Sequence, residues 1–174
     1  MHRVQISFLG IGFLQDPSNK ASSDYQRTSY EFPDGRSYET RSFMEALARW
    51  QHERDAPVSR IVVVGTATSL WLSLMELEGF PEEAIDALEE IDAQTRAPHS
   101  GTTQAALDAL AEPLHAHIGC ELVPLIIGRC DSEQEQLELA GRLTACVPPG
   151  AELVLDVTHS YRHLPMIAIS VAHY

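Results

Sequence analysis

The densest run of chemically able side chains in this sequence is Asp156-Val157-Thr158-His159-Ser160-Tyr161-Arg162-His163. A carboxylate, hydroxyls, imidazoles and a guanidinium crowd into one short stretch after an apolar segment. Arg162 can hold a phosphate in bidentate fashion. Thr158 and Ser160 can donate to a ligand oxygen or a ribose, and Tyr161 or His159 can stack on a base. Asp156 can accept from the loop backbone and fix its shape. A Ser-His-Asp hydrolase is a poor reading, because triad members come from separate segments so that their tips converge. His159 and His163 suit a metal pair only within one helix, and no third ligand stands nearby, so no metal is expected. The competing reading of the run is a turn and capping network alone.

Three shorter runs invite similar questions. Gly65-Thr66-Ala67-Thr68-Ser69 offers N–H groups and hydroxyls that can cradle a phosphate where a helix begins. It lacks the Walker lysine, so P-loop ATP hydrolysis is not supported. Helix capping by Thr68 or Ser69 is the alternative. Gly10-Ile11-Gly12 allows close approach of backbone to a ligand, but the third glycine of a dinucleotide fingerprint is missing. A tight turn explains it equally well. Gly128-Arg129-Cys130 adds a further small residue beside a cation.

These runs gain meaning from the elements that must position them. Val4 to Leu9, Arg60 to Thr66, Leu122 to Ile127 and Glu152 to Val157 read as strands, apolar and rich in β-branched residues. Between the first two, Arg27 to Phe32 and Arg36 to Thr40 flank Pro33-Asp34-Gly35, which predicts a hairpin after a polar loop. Ser42 with Glu45 reads as a capping box opening a helix whose Phe43, Leu47 and Trp50 share one face. Helical pattern runs from Ser69 through Leu77, again from Pro81, from Gly101-Thr102-Thr103 to about His117, from Ser132 to Thr144 and from Leu164 to Tyr174. Pro113 threatens to kink or shorten the third of these, and Ser132 with Glu135 forms a second capping box.

Strands that alternate with helices predict an α/β domain with a Rossmann-like, mostly parallel sheet flanked by helices and a β-hairpin inserted after the first strand. In such sheets ligands bind outside the carboxyl ends of the strands. The four runs above all fall there, and that convergence outweighs any single motif.

With 174 residues the chain fits one domain that can bury a core. Its 12 Lys and Arg against 25 Asp and Glu give a net charge of -13. That balance disfavours duplex nucleic acid as a partner, since such a face needs surplus cations. A compact anionic ligand needs only a few placed donors. The acidic surplus between residues 76 and 92 reads as a solvated helix face. Cys120, Cys130 and Cys146 have no metal or disulfide spacing. No apolar run or signal-like N-terminus calls for a membrane or an export route, which makes the cytoplasm the expected location.

The chain resembles the CRISPR-associated Rossmann-fold (CARF) sensor domains of type III CRISPR systems. The resemblance is carried by Ile6-Ser7-Phe8-Leu9-Gly10-Ile11-Gly12, by Val64-Gly65-Thr66-Ala67-Thr68-Ser69-Leu70-Trp71, by the acidic helix from Ser132, and by Leu155-Asp156-Val157-Thr158-His159-Ser160-Tyr161-Arg162-His163-Leu164-Pro165. The last matches an Asp-x-Thr-His-Gly-x-Arg-x-x-Pro type motif, with Ser160 in the place of the usual glycine. It implies a homodimer that binds cyclic oligoadenylate, as cyclic tetra-adenylate or cyclic hexa-adenylate, across its two-fold axis. No separate cofactor is implied. Gly10, Ile11, Gly12, Gly65, Thr66, Ser69, Gly128, Arg129, Asp156, Thr158, His159, Ser160, Tyr161 and Arg162 are then the expected contacts. Family members continue with further strands and an effector domain, so residues 1–174 read as a sensor lacking both.

Two alternatives stand beside the sensor. One is a metal-independent ring nuclease, in which a ribose 2′-hydroxyl attacks the adjacent phosphate and Thr66, Ser69, His159 and Arg162 assist. The other is an unrelated Rossmann-like nucleotide-binding protein.

Overall fold

The computed structural model describes residues 2–10, 27–77, 80–96, 101–158 and 163–171. Four strands, β1 (Arg3–Phe8), β4 (Arg60–Thr66), β5 (Glu121–Ile127) and β6 (Glu152–Asp156), form one sheet in the order β5-β4-β1-β6. Each neighbouring pair is parallel. Between β1 and β4 the chain forms the antiparallel hairpin of β2 (Thr28–Glu31) and β3 (Ser37–Thr40), then helix α1 (Phe43–Glu53). Helices α2 (Ile85–Arg96) and α3 (Gln104–Ile118) lie between β4 and β5. Helix α4 (Glu133–Cys146) leads to β6, and α5 (His163–Val171) follows it. This is the expected Rossmann-like α/β fold with its inserted hairpin.

Alternation along the strands sends side chains to two faces. Ile61, Val63 and Leu122 face one layer with Met44 of α1, Leu88 and Ile91 of α2, and Leu107, Leu110 and Leu114 of α3. Val4, Ile6, Phe8, Val62 and Val64 face the other, packed on Leu139 and Leu143 of α4 and Leu164 and Ala168 of α5. On the first face β1 presents Gln5 and Ser7 instead of apolar side chains, both buried. The amide Nε2 of Gln5 donates to Ser7 Oγ (3.1 Å) and to the Met44 carbonyl (3.0 Å), which docks α1 on the sheet.

At the amino ends of the strands the sheet is stitched by charge. Arg3 pairs with Glu152 on its register neighbour in β6, and Arg60 with Glu121 in β5 at 2.7 Å. A cavity of about 500 Å3 lies near that end, lined by Met44, Ala48, Ile61, Leu77, Ile118 and Cys120 among others. The carboxyl ends are different in kind, being small and polar.

The hairpin rides on α1 through aromatic rings. Phe32 stacks on Trp50 (centroids 4.7 Å) and on Phe43 (6.1 Å), which share a helix face as the spacing predicts. Trp50 Nε1 donates to Asp34 at 2.9 Å, and the Tyr38 hydroxyl to Glu53 at 2.8 Å.

Several local expectations need correction. Ser42 makes no side-chain cap to α1. Glu45, its expected partner, accepts from the Thr40 hydroxyl at 2.5 Å, because the end of β3 brings a stronger local donor within reach. The helical pattern after Ser69 is a 3₁₀ segment, Trp71–Glu76, because the Trp71 indole is tied to the Thr66 carbonyl and Leu70 N–H to the Gly10 carbonyl. A further 3₁₀ turn, Glu82–Ala84, precedes α2 after Pro81. Pro113 sits within α3 without ending it. The Ser132 cap forms as expected, accepting from Glu135 N–H, and the structure adds a cap at Thr103, which accepts from Ala106 N–H. Glu135 completes its box one residue early, on Asp131 N–H at 3.0 Å. Strand β6 ends at Asp156, so Val157 belongs to the following loop.

Candidate functional site

Parallel strands deliver all four carboxyl ends to one edge of the sheet. The strand order places β1 between β4, which follows it in the chain, and β6, which closes the sheet on the other side. That reversal opens a crevice between the ends of β1 and β6, the place where open α/β sheets bind ligands.

At the end of β4 the turn is tightly bonded. Ser69 Oγ accepts from Thr66 N–H at 2.9 Å and donates to the Leu9 carbonyl at 3.1 Å, so it bolts the end of β4 to the end of β1. Trp71 Nε1 donates to the Thr66 carbonyl at 2.8 Å. The N–H groups of Ser69, Leu70 and Trp71 are spent on the carbonyls of Thr66, Gly10 and Ser69. A cradle built from the whole 65–69 backbone is therefore not available. The hydroxyl of Thr68, in contact with Thr66 Oγ1 at 3.2 Å, lies on an exposed residue at the rim, whereas Thr66 and Ser69 are buried. Gly65 is required sterically: a Cβ there would stand 2.8 Å from the Trp71 ring and 2.9 Å from Ser69 Cβ.

Beyond β5, Gly128 and Arg129 are exposed. Arg129 pairs with Asp131 at 3.1 Å and extends into solvent. Gly128 leaves room for Glu135, whose Oε1 would meet a Cβ at 2.6 Å. Cys130 is buried with φ of 57°, a left-handed backbone that turns the loop back to α4. Gln136 secures this by donating to its carbonyl at 3.1 Å.

At the end of β6, Asp156 is buried and lies beside Ser7 in register. Its Oδ1 accepts from Thr158 N–H at 2.9 Å, the loop-fixing bond expected of it. Thr158 is exposed beside it. From the hairpin, Tyr30 joins this neighbourhood: burial first, and then the charge of Asp156, raise its phenol pKa. A cavity of about 20 Å3 at the crevice is lined by Ser7, Leu9, Arg41, Ser42, Ser73 and Asp156 among others.

The structure thus brings Gly10, Gly65, Thr66, Ser69, Asp156 and Thr158 together around the ends of β1, β4 and β6, with Gly128 and Arg129 farther along the edge. Ile11, Gly12, His159, Ser160, Tyr161 and Arg162 lie outside the described residues. Arg41 and Ser73 belong to no motif, and Ser7 stands in the run from Ile6 to Gly12 without being among the expected contacts. For Ser7 a signal does exist, since Gln5 and Ser7 interrupt an otherwise apolar strand with period two. Among the described residues no group of three or more His, Cys, Asp or Glu side chains is gathered to hold a metal ion. No described helix is long and apolar enough to cross a membrane.

Residues 5–174 match the family described as the CARF domain of the CRISPR system endoribonuclease Csx1. The chain belongs to this Csx1 CARF family. Membership identifies it as a CRISPR-associated ligand-binding sensor domain of type III systems, and the crevice between β1 and β6 is where its fold would take a ligand. No curated protein matches the chain.

Proposed function

We propose that this CARF domain binds a cyclic oligoadenylate, cyclic tetra-adenylate or cyclic hexa-adenylate, across the axis of a homodimer in the cytoplasm, and so controls an effector. The observation that carries this reading is the set of small and polar residues that follow the strands at one edge of the sheet, Gly10 after β1, Thr68 after β4 and Thr158 after β6, with Thr158 N–H held by the buried Asp156. A ring of repeated units suits two-fold symmetry, since each protomer offers the same loops to opposite halves of the ligand. A ring with few phosphates also suits an acidic protein, because a few local donors, Arg162 first and Arg129 with backbone N–H groups beside it, can supply the positive charge it needs. Ser69 acts by holding the β4 turn in place, since both directions of its hydroxyl are already used.

The test is to incubate the protein with each ring, without metal, and to separate the products. Recovery of intact ring bound to protein supports the sensor. Linear products ending in 2′,3′-cyclic phosphate would assign ring-nuclease activity instead, with His159 the first residue to replace as general base. Failure to bind either ring contradicts both.

A further inference from the structure

We infer that helix α5 is the face through which two copies of this chain meet, with Met166 and Ile169 at the centre of the contact. The inference rests on the reading of a homodimer that shares one ring, and it names the surface such a dimer uses. Met166 and Ile169, three positions apart and so on one helix face, are 64% and 43% exposed. Leu153 and Leu155 of β6 and Ile167 of α5 pack against the second core layer yet stay half-buried, so that layer is incompletely covered around β6 and α5. Apolar surface gathered in this way marks an interaction site, whereas single exposed apolar side chains do not.

Charge decides the occupant. Each copy carries a net charge of -13, so contact between copies is opposed except through a face that carries no charge. The nine residues of α5 include no Asp, Glu, Lys or Arg. Helices α1, α2, α3 and α4 all carry acidic residues. Among the described residues, the other exposed large apolar side chains on helices are Ile85 of α2 and Leu137 of α4. Each lies one turn from an exposed carboxylate, Ile85 from Glu89 and Leu137 from Glu133. Interface cores are depleted of charged groups and enriched in methionine, as α5 is. Ser170, exposed next to Ile169, spends its hydroxyl on the Met166 carbonyl at 2.9 Å, so covering it strands no donor.

Position argues the same way. Helix α5 is the helix that follows β6, and Met166 lies in its first turn, towards the end of the sheet where Asp156 and Thr158 stand. Two copies joined through α5 set their β6 ends on either side of a two-fold axis, where one ring can reach both. A contact through the cavity lined by Met44 and Ile118, at the amino ends of the strands, would hold the two crevices apart.

The experiment follows the mass of the unmodified protein, Met166→Glu, Ile169→Glu and Ile85→Glu by sedimentation over a range of protein and salt concentrations. It is run with and without cyclic tetra-adenylate and cyclic hexa-adenylate, and circular dichroism checks folding. Met166→Glu and Ile169→Glu should each weaken self-association by about tenfold or more, because two-fold symmetry buries each new carboxylate twice. Ile85→Glu, on the opposite face of the sheet, should stay within about twofold. Added salt should tighten the unmodified dimer by screening the repulsion between copies. A dimer that loosens as salt rises would point to ion pairs and contradict the α5 face. Should the Glu variants fail to fold, Met166→Ser takes their place, with a weaker dimer expected and an unchanged one as the contrary result. A dimer that survives both Glu substitutions and still binds one ring per two chains overturns the α5 face and leaves the sensor intact. A dimer that they break, in a protein that binds neither ring, supports the α5 face and overturns the ring. An unmodified protein that stays monomeric with and without either ring overturns both.

Discussion

Side chains at the strand ends divide into those that shape the loops and those that can meet a ligand. Ser69 is of the first kind. Ser69→Ala would leave the buried Thr66 N–H without its acceptor, at a cost of about 1–3 kcal/mol, measurable by urea unfolding. The proposed function puts Arg162 in the second group, and on that proposal Arg162→Ala should weaken ring binding by about tenfold or more through loss of a charged phosphate contact, as isothermal titration would show. The cysteines make a separate case. Burial, helped by Glu121, pushes the Cys120 thiol up to about 11. Its folded pKa thus exceeds the usual value of 9.0, so the protonated thiol favours the folded state. Stability should hold below pH 9 and fall as pH rises from 9 towards 11, and Cys120 should alkylate slowly in the native protein at pH 8. At this scale the sequence made Asp156 legible, because a carboxylate that ends a buried strand has little to do but bind nearby N–H groups. It did not reveal that Ser69 spends its hydroxyl on Leu9, since that bond joins residues sixty positions apart.

Elements were legible where the signal is local. Four apolar strands, the hairpin around Pro33-Asp34-Gly35 and the Ser132 cap depend on neighbouring residues, and they form where the sequence puts them. The Ser42 capping box failed because Thr40, fixed by hairpin pairing, takes Glu45 first. The segment after Ser69 tightens into a 3₁₀ turn because the Trp71 indole is tied to Thr66, a tertiary constraint that helical periodicity does not encode. Gly65 is the hinge of that arrangement. Gly65→Ala forces a Cβ into the Trp71 ring and should cost about 1–3 kcal/mol, lowering the thermal midpoint in calorimetry. Replacement of Ser132 by Ala removes a cap and should cost about 1 kcal/mol. The ligand affinity should hardly change in that variant, because α4 begins beyond β5 rather than at the crevice.

For the molecule as a whole, the net charge of -13 and the strand order act together. The acidic residues of α2, such as Asp86, Glu89 and Glu90, face solvent. Ion pairs hold the amino ends of the strands, and the carboxyl ends are left small and polar. Anions are thereby discouraged over most of the surface and admitted at one edge. The sequence located that edge through its four strand-end runs, but not the crevice within it, because strand order is a property of the assembled sheet. The central claim is that two copies share one ring. Isothermal titration of cyclic tetra-adenylate and cyclic hexa-adenylate, with the mass of the complex followed by sedimentation, addresses it directly. The account predicts saturation at one ring per two chains and a sedimenting dimer. Binding of neither ring, or saturation at one ring per monomeric chain, would contradict it.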